Sequence, residues 1–262
     1  MSWSLYEALL EPIGDDPVIE GVVSPKWSFV TTANGSGLAM TPLEVLRRTS
    51  LAGRMRGMPL RELAEHVRSW DLQEATIAMA GVNAHHNDVA TLEAHGDVLL
   101  AGSGLPFLPA WLDILGFRRA AFIGHGPFLD TYEGACEITI LERAPQEGDL
   151  PDTACDFVLP DQDAVFITGT TFPNKTIVHL LDICRRAGNF VVLWGPTVPL
   201  TPQLFDWGVD AVLGTAVRDA EGVRRAICEG CYVLDFREHL ETVLLIEDRG
   251  VRAAIDACRT GR

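Results

Sequence analysis

Residues 163–174 read DAVFITGTTFPN, an apolar run that stops at a loop rich in Gly, Pro and hydroxyl side chains. The same pattern recurs in AAFIGHGP (120–127), FVVLWGPTVPLTP (190–202) and AVLGTAV (211–217). Strands with so many consecutive apolar residues are buried on both faces, which is typical of a parallel sheet covered by helices. In such sheets ligands bind outside the carboxyl ends of the strands, where these loops gather. The pattern therefore predicts both a fold and the edge that carries its site.

The second part of the chain, residues 93–262, is predicted to be a Rossmann-like, doubly wound parallel sheet. After a connector at 95–112 that ends in a short helix, the strands are expected near 120–124, 137–142, 164–168, 190–194 and 211–215. With right-handed crossovers the simplest strand order is 3-2-1-4-5. A Thr201 cap, Pro202 and a stop at Gly208 predict a helix between the last two strands.

The first part, residues 1–92, has a different pattern and is predicted to be a small α+β domain. Loose alternation predicts an antiparallel meander with a hairpin turn at Asn34-Gly35, followed by two helices. The predicted strands are 18–24, 27–33 and 37–40, and the predicted helices are 59–70 and 71–85, the second capped by Asp71.

Charge and composition limit the partners. The formal charge is -15, from 21 Lys and Arg against 36 Asp and Glu, so nucleic acid and anionic membrane surfaces are poor partners. No apolar run of about 18 residues predicts a membrane span, and no export leader is recognised. The six scattered cysteines indicate a reducing, cytoplasmic location. A homodimer is one of the assemblies compatible with the sequence.

Gly124-His125-Gly126-Pro127 follows the first strand of the predicted sheet, where a dinucleotide-binding fold carries its phosphate turn. A third Gly is missing, and Pro127 lacks a backbone donor. Glu142 ends the next strand, near the place where an acidic residue holds a ribose diol. An adenosine-type cofactor is therefore one interpretation. The other is that the glycines allow tight packing and that Glu142 is a solvated strand end.

Two further loops at the same edge carry polar groups. Thr168-Gly169-Thr170 and Asn174 lie between a buried strand and a helix expected to begin near Asn174, where backbone N–H groups and hydroxyls suit an anion. Simple capping by Thr171 or Asn174 is the alternative. Gly195-Pro196-Thr197 is rigid, with Thr197 as its polar side chain. Two such loops on one sheet edge favour a binding site.

Imidazole and carboxylate side chains raise the question of a metal. His125 is the best-placed histidine because it lies on a loop at the sheet edge, and imidazole with Asp or Glu suits divalent transition metals. His85 and His86 are adjacent on a helix, so they point about 100° apart and do not easily share an ion. Cys228 and Cys231 form a lone CxxC, whereas a structural zinc site needs four ligands.

The segment from LPDQDAVFITGTTFPNK (159–175) through FVVLWGPTVPLTP to AVLGTAV resembles the heavy-metal-chelation family. RMRGMPLRELAEHV (54–67), AGVNA (80–84), RRAAFIGHGPFLD (118–130) and EITILERAP (137–145) are similar to the same family, so the resemblance spans nearly the whole chain. It implies an enolase-N-terminal-like domain joined to a Rossmann-like domain, with a cleft between them. The residues implied to line that cleft are Asn83, Gly124, His125, Gly126, Glu142, Thr168, Gly169, Thr170, Asn174, Gly195, Pro196 and Thr197.

Three functions follow as hypotheses. In the first, a metal ion or a small metal-chelating molecule binds in the interdomain cleft, with His125 and Glu142 as metal ligands. In the second, a transferase or oxidoreductase uses S-adenosylmethionine or NAD in the same cleft, with Glu142 on the ribose. In the third, the chain is a non-catalytic binding or scaffold module. No residue pattern assigns a nucleophile, a general base or an electron carrier, so catalysis stays open.

Overall fold

The computed structural model describes residues 3–41, 49–94, 98–100, 107–126, 128–248, 250–251 and 253. Pro127, His95 and parts of the predicted connector at 95–112 lie outside the described residues, as does Cys258. Within them the chain forms a three-stranded antiparallel sheet and an eight-stranded, mostly parallel sheet, a mixed α/β architecture as predicted. None of the described helices is long and apolar enough to span a bilayer.

The smaller sheet and its helices occupy the N-terminal part. Hydrogen bonds join its strands in the order β1-β2-β3, and the β2–β3 hairpin turns at Asn34-Gly35 as predicted. The Thr32 hydroxyl accepts hydrogen bonds from the backbone N–H of both turn residues. The elements are α1 (Ser4–Leu10), β1 (Glu20–Val23), β2 (Trp27–Thr31), β3 (Ser36–Met40), α2 (Leu60–Glu65), α3 (Leu72–His86) and α4 (Val89–Ala94).

Helix α3 is buried on almost every side. The Asp71 carboxylate caps it by accepting from the N–H groups of Gln73 and Glu74, as the sequence predicts. Twelve of its 15 residues are buried, because β2 and β3 cover one side and loops of the larger sheet cover another. The contact with β3 is close: a Cβ at Gly37 would overlap the backbone nitrogen of Ala84 and the backbone oxygen of Ala80.

The larger sheet fills the rest of the described chain, in the order β4-β11-β10-β9-β8-β5-β6-β7. All pairs from β10 to β7 are parallel, while β11 is antiparallel to both of its neighbours. The elements are β4 (Val98–Leu100), α5 (Phe107–Ile114), β5 (Arg119–Ile123), β6 (Glu137–Glu142), β7 (Leu150–Pro151), α6 (Cys155–Val158), β8 (Ala164–Thr168), α7 (Ile177–Ala187), β9 (Phe190–Trp194), β10 (Ala211–Val217), α8 (Ala220–Cys228) and β11 (Leu240–Ile246).

The predicted strand order of 3-2-1-4-5 is wrong. The five predicted strands are β5, β6, β8, β9 and β10, and their order is 2-1-3-4-5, because β8 pairs with β5 rather than with β6. Burial explains the difference. The apolar strands β5 and β8 lie side by side in the centre, whereas β6 carries Glu137 and Thr139 and is only partly buried, next to the short edge strand β7.

The predicted helix between β9 and β10 is confirmed as a 3-10 helix, Pro202–Trp207. Thr201 caps its start, and Gly208, with φ 79°, ends it as predicted. The helix expected near Asn174 begins later, at Ile177. The helix starts later because Lys175 has a left-handed backbone with φ 67°. The side chain of Asn174 accepts hydrogen bonds from the backbone N–H and the hydroxyl of Thr176. The left-handed residue interrupts the helical path before the first turn.

The two parts share one hydrophobic core, which runs from α1 and α3 to the inner face of the larger sheet. Their boundary carries a polar contact that we call the seam, formed by Asn83, Asn87 and residues 196–200. Asn87 donates to the carbonyl oxygens of Val198 and Thr215, both at 3.0 Å, and accepts from the N–H of Leu200. A division into domains near residue 92 stays a prediction.

Candidate functional site

The ends of β5, β6, β8 and β9 and the loops that follow them form one edge of the larger sheet, which we call the carboxyl edge. The strand order reverses between β5 and β8, and crevices at such switch points are the usual ligand sites of open α/β sheets. Gly124 lies at this point with φ 96°, and a Cβ there would come within 2.9 Å of the Thr168 methyl carbon. Glycine is therefore needed for both the turn and the close approach.

His125 follows Gly124 and is held at both ring nitrogens. Its Nδ1 lies 3.0 Å from both carboxylate oxygens of Asp149, and its Nε2 lies 3.0 Å from Asp130 Oδ1. The Asp149 side chain is 2% exposed and also accepts from the Gln146 N–H, whereas Asp130 is 67% exposed. One carboxylate is thus a buried anchor, and the other is a solvent-facing partner.

The protonation of His125 follows from these neighbours. Burial of the ring lowers its pKa, but hydrogen bonds and charges from Asp149 and Asp130 outweigh this effect and raise the pKa above the ordinary value. When the ring is protonated at Nε2, that proton lies between the imidazole and Asp130. A cation that took its place would keep the attraction of the carboxylate.

Glu142 ends β6 as predicted and directs its carboxylate to backbone N–H groups. Oε2 accepts from His125 at 2.9 Å, and Oε1 accepts from Arg143 at 2.7 Å and from Ala144 at 3.4 Å. The structure therefore brings Glu142 and His125 together, but through the backbone of His125 rather than through its ring. The observed role of Glu142 is to fix the loop that carries the imidazole.

The loop after β8 presents the predicted polar groups. Thr168, Thr170 and Asn174 are half-buried, and the side-chain oxygen of Asn174 accepts from the N–H and hydroxyl of Thr176. The Thr170 hydroxyl donates to the Thr168 hydroxyl at 3.4 Å. Gly169 is buried against the backbone of Thr197 and Val198, where a Cβ would come within 2.6 Å of the Val198 nitrogen. This loop is therefore packed tightly on one side and open on the other.

Asn83 and Thr197 lie in the seam rather than on an open surface. Asn83 is fully buried, and its amide donates to the carbonyl oxygens of Leu38 at 2.8 Å and Thr197 at 3.0 Å. The Thr197 hydroxyl accepts from the N–H of Met40 at 2.9 Å. Gly195 is buried too, with φ 102°, and Pro196 is half-buried. Their observed contacts hold β3 and α3 against the loop after β9.

Asp130 and Asp149 were missed by sequence reasoning. Asp149 lies between β6 and β7, 24 residues after His125, and Asp130 lies in the 3-10 helix Leu129–Thr131. No spacing or period in the sequence marks either carboxylate as a partner of His125, because a turn and a short 3-10 helix bring them to the ring. Among the described residues, no group of three or more His, Cys, Asp and Glu side chains could hold a metal ion.

Other candidate groups have structural explanations. Cys228 and Cys231 lie at the end of α8. Gly230 has φ 83°, and the Cys231 N–H donates to the Ala226 carbonyl at 3.0 Å, which is a common helix ending.

His86 is buried with Nε2 2.8 Å from the Leu9 carbonyl, and burial lowers its pKa to about 4. A hollow of about 380 Å³ beside α1 and α2 is lined by Glu7, Ala8, Glu11, Arg61 and Arg68, none of which is a predicted site residue.

These features define a doubly wound α/β protein with polar loops at the carboxyl edge of its sheet. The chain belongs to the DUF364 family, described as "Putative heavy-metal chelation", whose model matches residues 107–246. A second model with the same description, DUF4213, matches residues 6–86. The family suggested by the sequence resemblance is confirmed.

The chain is similar to other proteins over most of its length. An uncharacterised protein of Methanocaldococcus jannaschii is 29% identical over 225 residues, which are 81% of this chain and 83% of the relative. A DUF364 crystal structure from Desulfitobacterium hafniense, titled as of unknown function, is 30% identical with a TM-score of 0.82, covering 94% of this chain and 98% of that one. Another from Pyrococcus horikoshii, 21% identical with a TM-score of 0.76, covers 92% and 98% and shows the fold alone.

Proposed function

We propose that this protein binds a divalent transition metal as part of a small chelate, at the carboxyl edge of its larger sheet. The observation that carries the proposal is the geometry of His125. A buried Asp149 carboxylate anchors Nδ1, while Nε2 faces the exposed Asp130. Metal-binding histidines almost always donate their other N–H to such a carboxylate, which fixes the tautomer and makes the metal-binding nitrogen more basic.

The number of protein donors favours a chelate over a bare ion. His125 Nε2 and Asp130 Oδ1 supply two donors, and the described residues offer no group of three. An imidazole–carboxylate pair suits borderline divalent cations, and the remaining positions would be filled by a small chelating molecule and water. The net charge of -15 adds a field that attracts cations.

The organic part of the chelate would lie over the loop after β8. Thr168 lies beside Gly124 and, with Thr170, offers hydroxyls, and Asn174 farther along the same loop offers an amide. Gly126 is closely packed against Phe128 and Trp194, so this side of the site is rigid. The predicted Glu142 supports the site by holding the His125 backbone. Asn83 and Thr197 would act from the seam, by fixing the loop after β9.

Metal binding should compete with one proton. Because Asp149 and Asp130 raise the pKa of His125, Nε2 keeps its proton to a higher pH than an ordinary imidazole. Below that pKa we expect the affinity for Ni²⁺ with citrate to fall about ten-fold for each pH unit, and above it to become level. Calorimetry from pH 5.5 to pH 8.5 in two buffers of different ionisation enthalpy measures both the affinity and the released proton. An affinity that does not change with pH over this range would contradict His125 coordination.

An adenosine-type cofactor is the second candidate, favoured by Glu142 at the end of the strand next to β5. Two observations weigh against it. The Glu142 carboxylate already accepts from three backbone N–H groups, and a 3-10 helix at Leu129–Thr131, not an α-helix, follows the glycine loop. We therefore expect S-adenosylmethionine and NAD to leave the melting temperature unchanged. A ligand at 100 times its dissociation constant would stabilise the protein by about 2.7 kcal/mol, so a clear shift would favour this candidate.

A cytoplasmic location is part of the proposal. The five described cysteines are all unpaired, and three of them, Cys136, Cys155 and Cys184, are buried. Burial raises the pKa of each of these three thiols, so they are poor nucleophiles that suit a reducing compartment. Whether the chain acts as a monomer or as a homodimer stays a prediction of the sequence alone.

A further inference from the structure

Hydrogen bonds connect the loop between β8 and α7, residues 169–176, to the N-terminal part of the chain. The Tyr6 hydroxyl, on α1, donates to the Phe172 carbonyl at 2.8 Å in a buried contact. The Lys175 ammonium donates to the Ser69 carbonyl, and also to the Pro173 carbonyl at 2.6 Å. Thr170 and Asn174 of the proposed site lie on this loop. Two donors thus connect the first 70 residues to the segment that would contact a ligand.

Lys175 is an unusual choice for its position. It is the one residue other than Gly with positive φ among the described residues, a conformation in which side chains other than Asn, Asp or Gly are strained. It is 5% exposed, although long charged side chains are rarely buried. Only two of the 21 basic residues of the chain are lysines, Lys26 and Lys175. If turn geometry alone mattered, Gly would serve better, so the amino group itself is what this position requires.

The surroundings keep that amino group bound. Burial lowers its pKa to about 8, and the charge of Asp71 opposes this effect. The Trp70 ring lies 5.7 Å from Nζ. An ammonium has three N–H donors and a neutral amine has two, so either form satisfies both carbonyl groups. The contact therefore persists on both sides of neutral pH.

We propose that Lys175, with Tyr6, is a positioning residue that sets the β8–α7 loop for the organic part of the chelate. The ligand half of this inference rests on the proposed function, but the positioning half does not. If only a fraction of the molecules hold the loop in its binding conformation, the apparent affinity for the ligand falls in proportion to that fraction. Contacts that hold the loop in this conformation before the ligand binds therefore raise the affinity. The bare metal, which would contact His125 on the loop after the neighbouring strand β5, should not depend on this contact.

The first experiment is hydrogen exchange in the free protein, with Lys175→Gly and Lys175→Met as test variants and Lys26→Met as the matched control. Glycine relieves the backbone strain and methionine keeps it, but both remove the amino group. We expect the amides of residues 169–176 to exchange about ten-fold faster in both variants, as for loss of a buried charged hydrogen bond, and not in the control. Added n-propylamine should restore protection in Lys175→Gly. Tyr6→Phe, which removes one hydroxyl, should give a smaller effect in the same segment.

The second experiment measures the affinity for Ni²⁺ alone and for Ni²⁺ with citrate. In Lys175→Gly we expect about ten-fold weaker binding of the citrate complex and unchanged binding of Ni²⁺. Wild-type exchange rates in the glycine variant, or exchange that propylamine does not slow, would overturn the inference. If the wild-type protein binds neither probe while the exchange results hold, the proposed function is wrong and the positioning role of Lys175 stands.

Discussion

Replacing His125 by Ala is expected to abolish binding of Ni²⁺ with citrate, with a loss of affinity of about 100-fold or more. The imidazole is one of two protein donors, and the loss of a supporting partner alone costs about 10–100-fold in known metal sites. Asp149→Asn, which keeps the shape of the anchor but removes its charge, should fall in that lower range because Asp149 is buried against Nδ1. Calorimetry on both variants, with circular dichroism to confirm folding, measures the two effects.

The matched control is the double variant Cys228→Ser and Cys231→Ser. These side chains belong to the end of α8, and Cys231 packs on a separate hydrophobic cluster. Binding should stay within a factor of about two, as is usual for surface substitutions distant from a site. If the serine variant loses binding and His125→Ala keeps it, the metal lies at the cysteine pair and the carboxyl-edge proposal is wrong.

Replacing Gly37 by Ala is expected to destabilise the protein by about 4 kcal/mol or more. The added methyl group would overlap backbone atoms of Ala80, Asn83 and Ala84, and a helix backbone does not give way as a flexible side chain does. The helix would have to move from β3, which would disturb the seam contacts of Asn83 and Asn87 as well. Thermal and urea unfolding measure the change.

Gly14→Ala is the control for that substitution. Nothing lies within 4 Å of a Cβ at Gly14, and its φ lies outside the left-handed region. Its stability should change by less than about 1 kcal/mol, with a small gain from reduced freedom of the unfolded chain. Similar losses in both variants would show that general glycine effects, and not the contact between β3 and α3, determine the outcome.

The repeating pattern of apolar strands and loops was enough to predict a mainly parallel sheet with helices, because burial on both faces is visible in single segments such as AVFI at 164–167. The strand order could not be predicted in this way, because it depends on which strands pair with each other. The partial burial of β6 determines the strand order, and Glu137 and Thr139 were the only residues of β6 whose polarity indicated it. The antiparallel strand β11 was missed, since an isolated apolar run such as LETVLLI fits a helix or a strand equally.

The site was predicted in part for a related reason. Loops that follow neighbouring parallel strands must meet, so His125, Glu142 and Thr168 could be grouped from their positions alone. Asp149 reaches His125 only because β7 pairs with the end of β6 and places its preceding turn beside the ring. Such a contact has no period or spacing in the sequence. The burial of Asn83 likewise depends on how closely two sheets pack around one helix.

Helix α3 has a consequence for how this chain can be divided. A surface helix has one apolar stripe and one polar face, but α3 is buried over most of its surface, because β2, β3 and α2 pack against it and the loop after β9 covers Asn83. A fragment that stopped near residue 92 would deprive the amides of Asn83 and Asn87 of the carbonyl oxygens of Thr197, Val198 and Thr215. Two family models match the two halves, yet each half completes the interior of the other. Truncation at their junction is therefore expected to destabilise both pieces, because it divides the shared hydrophobic core.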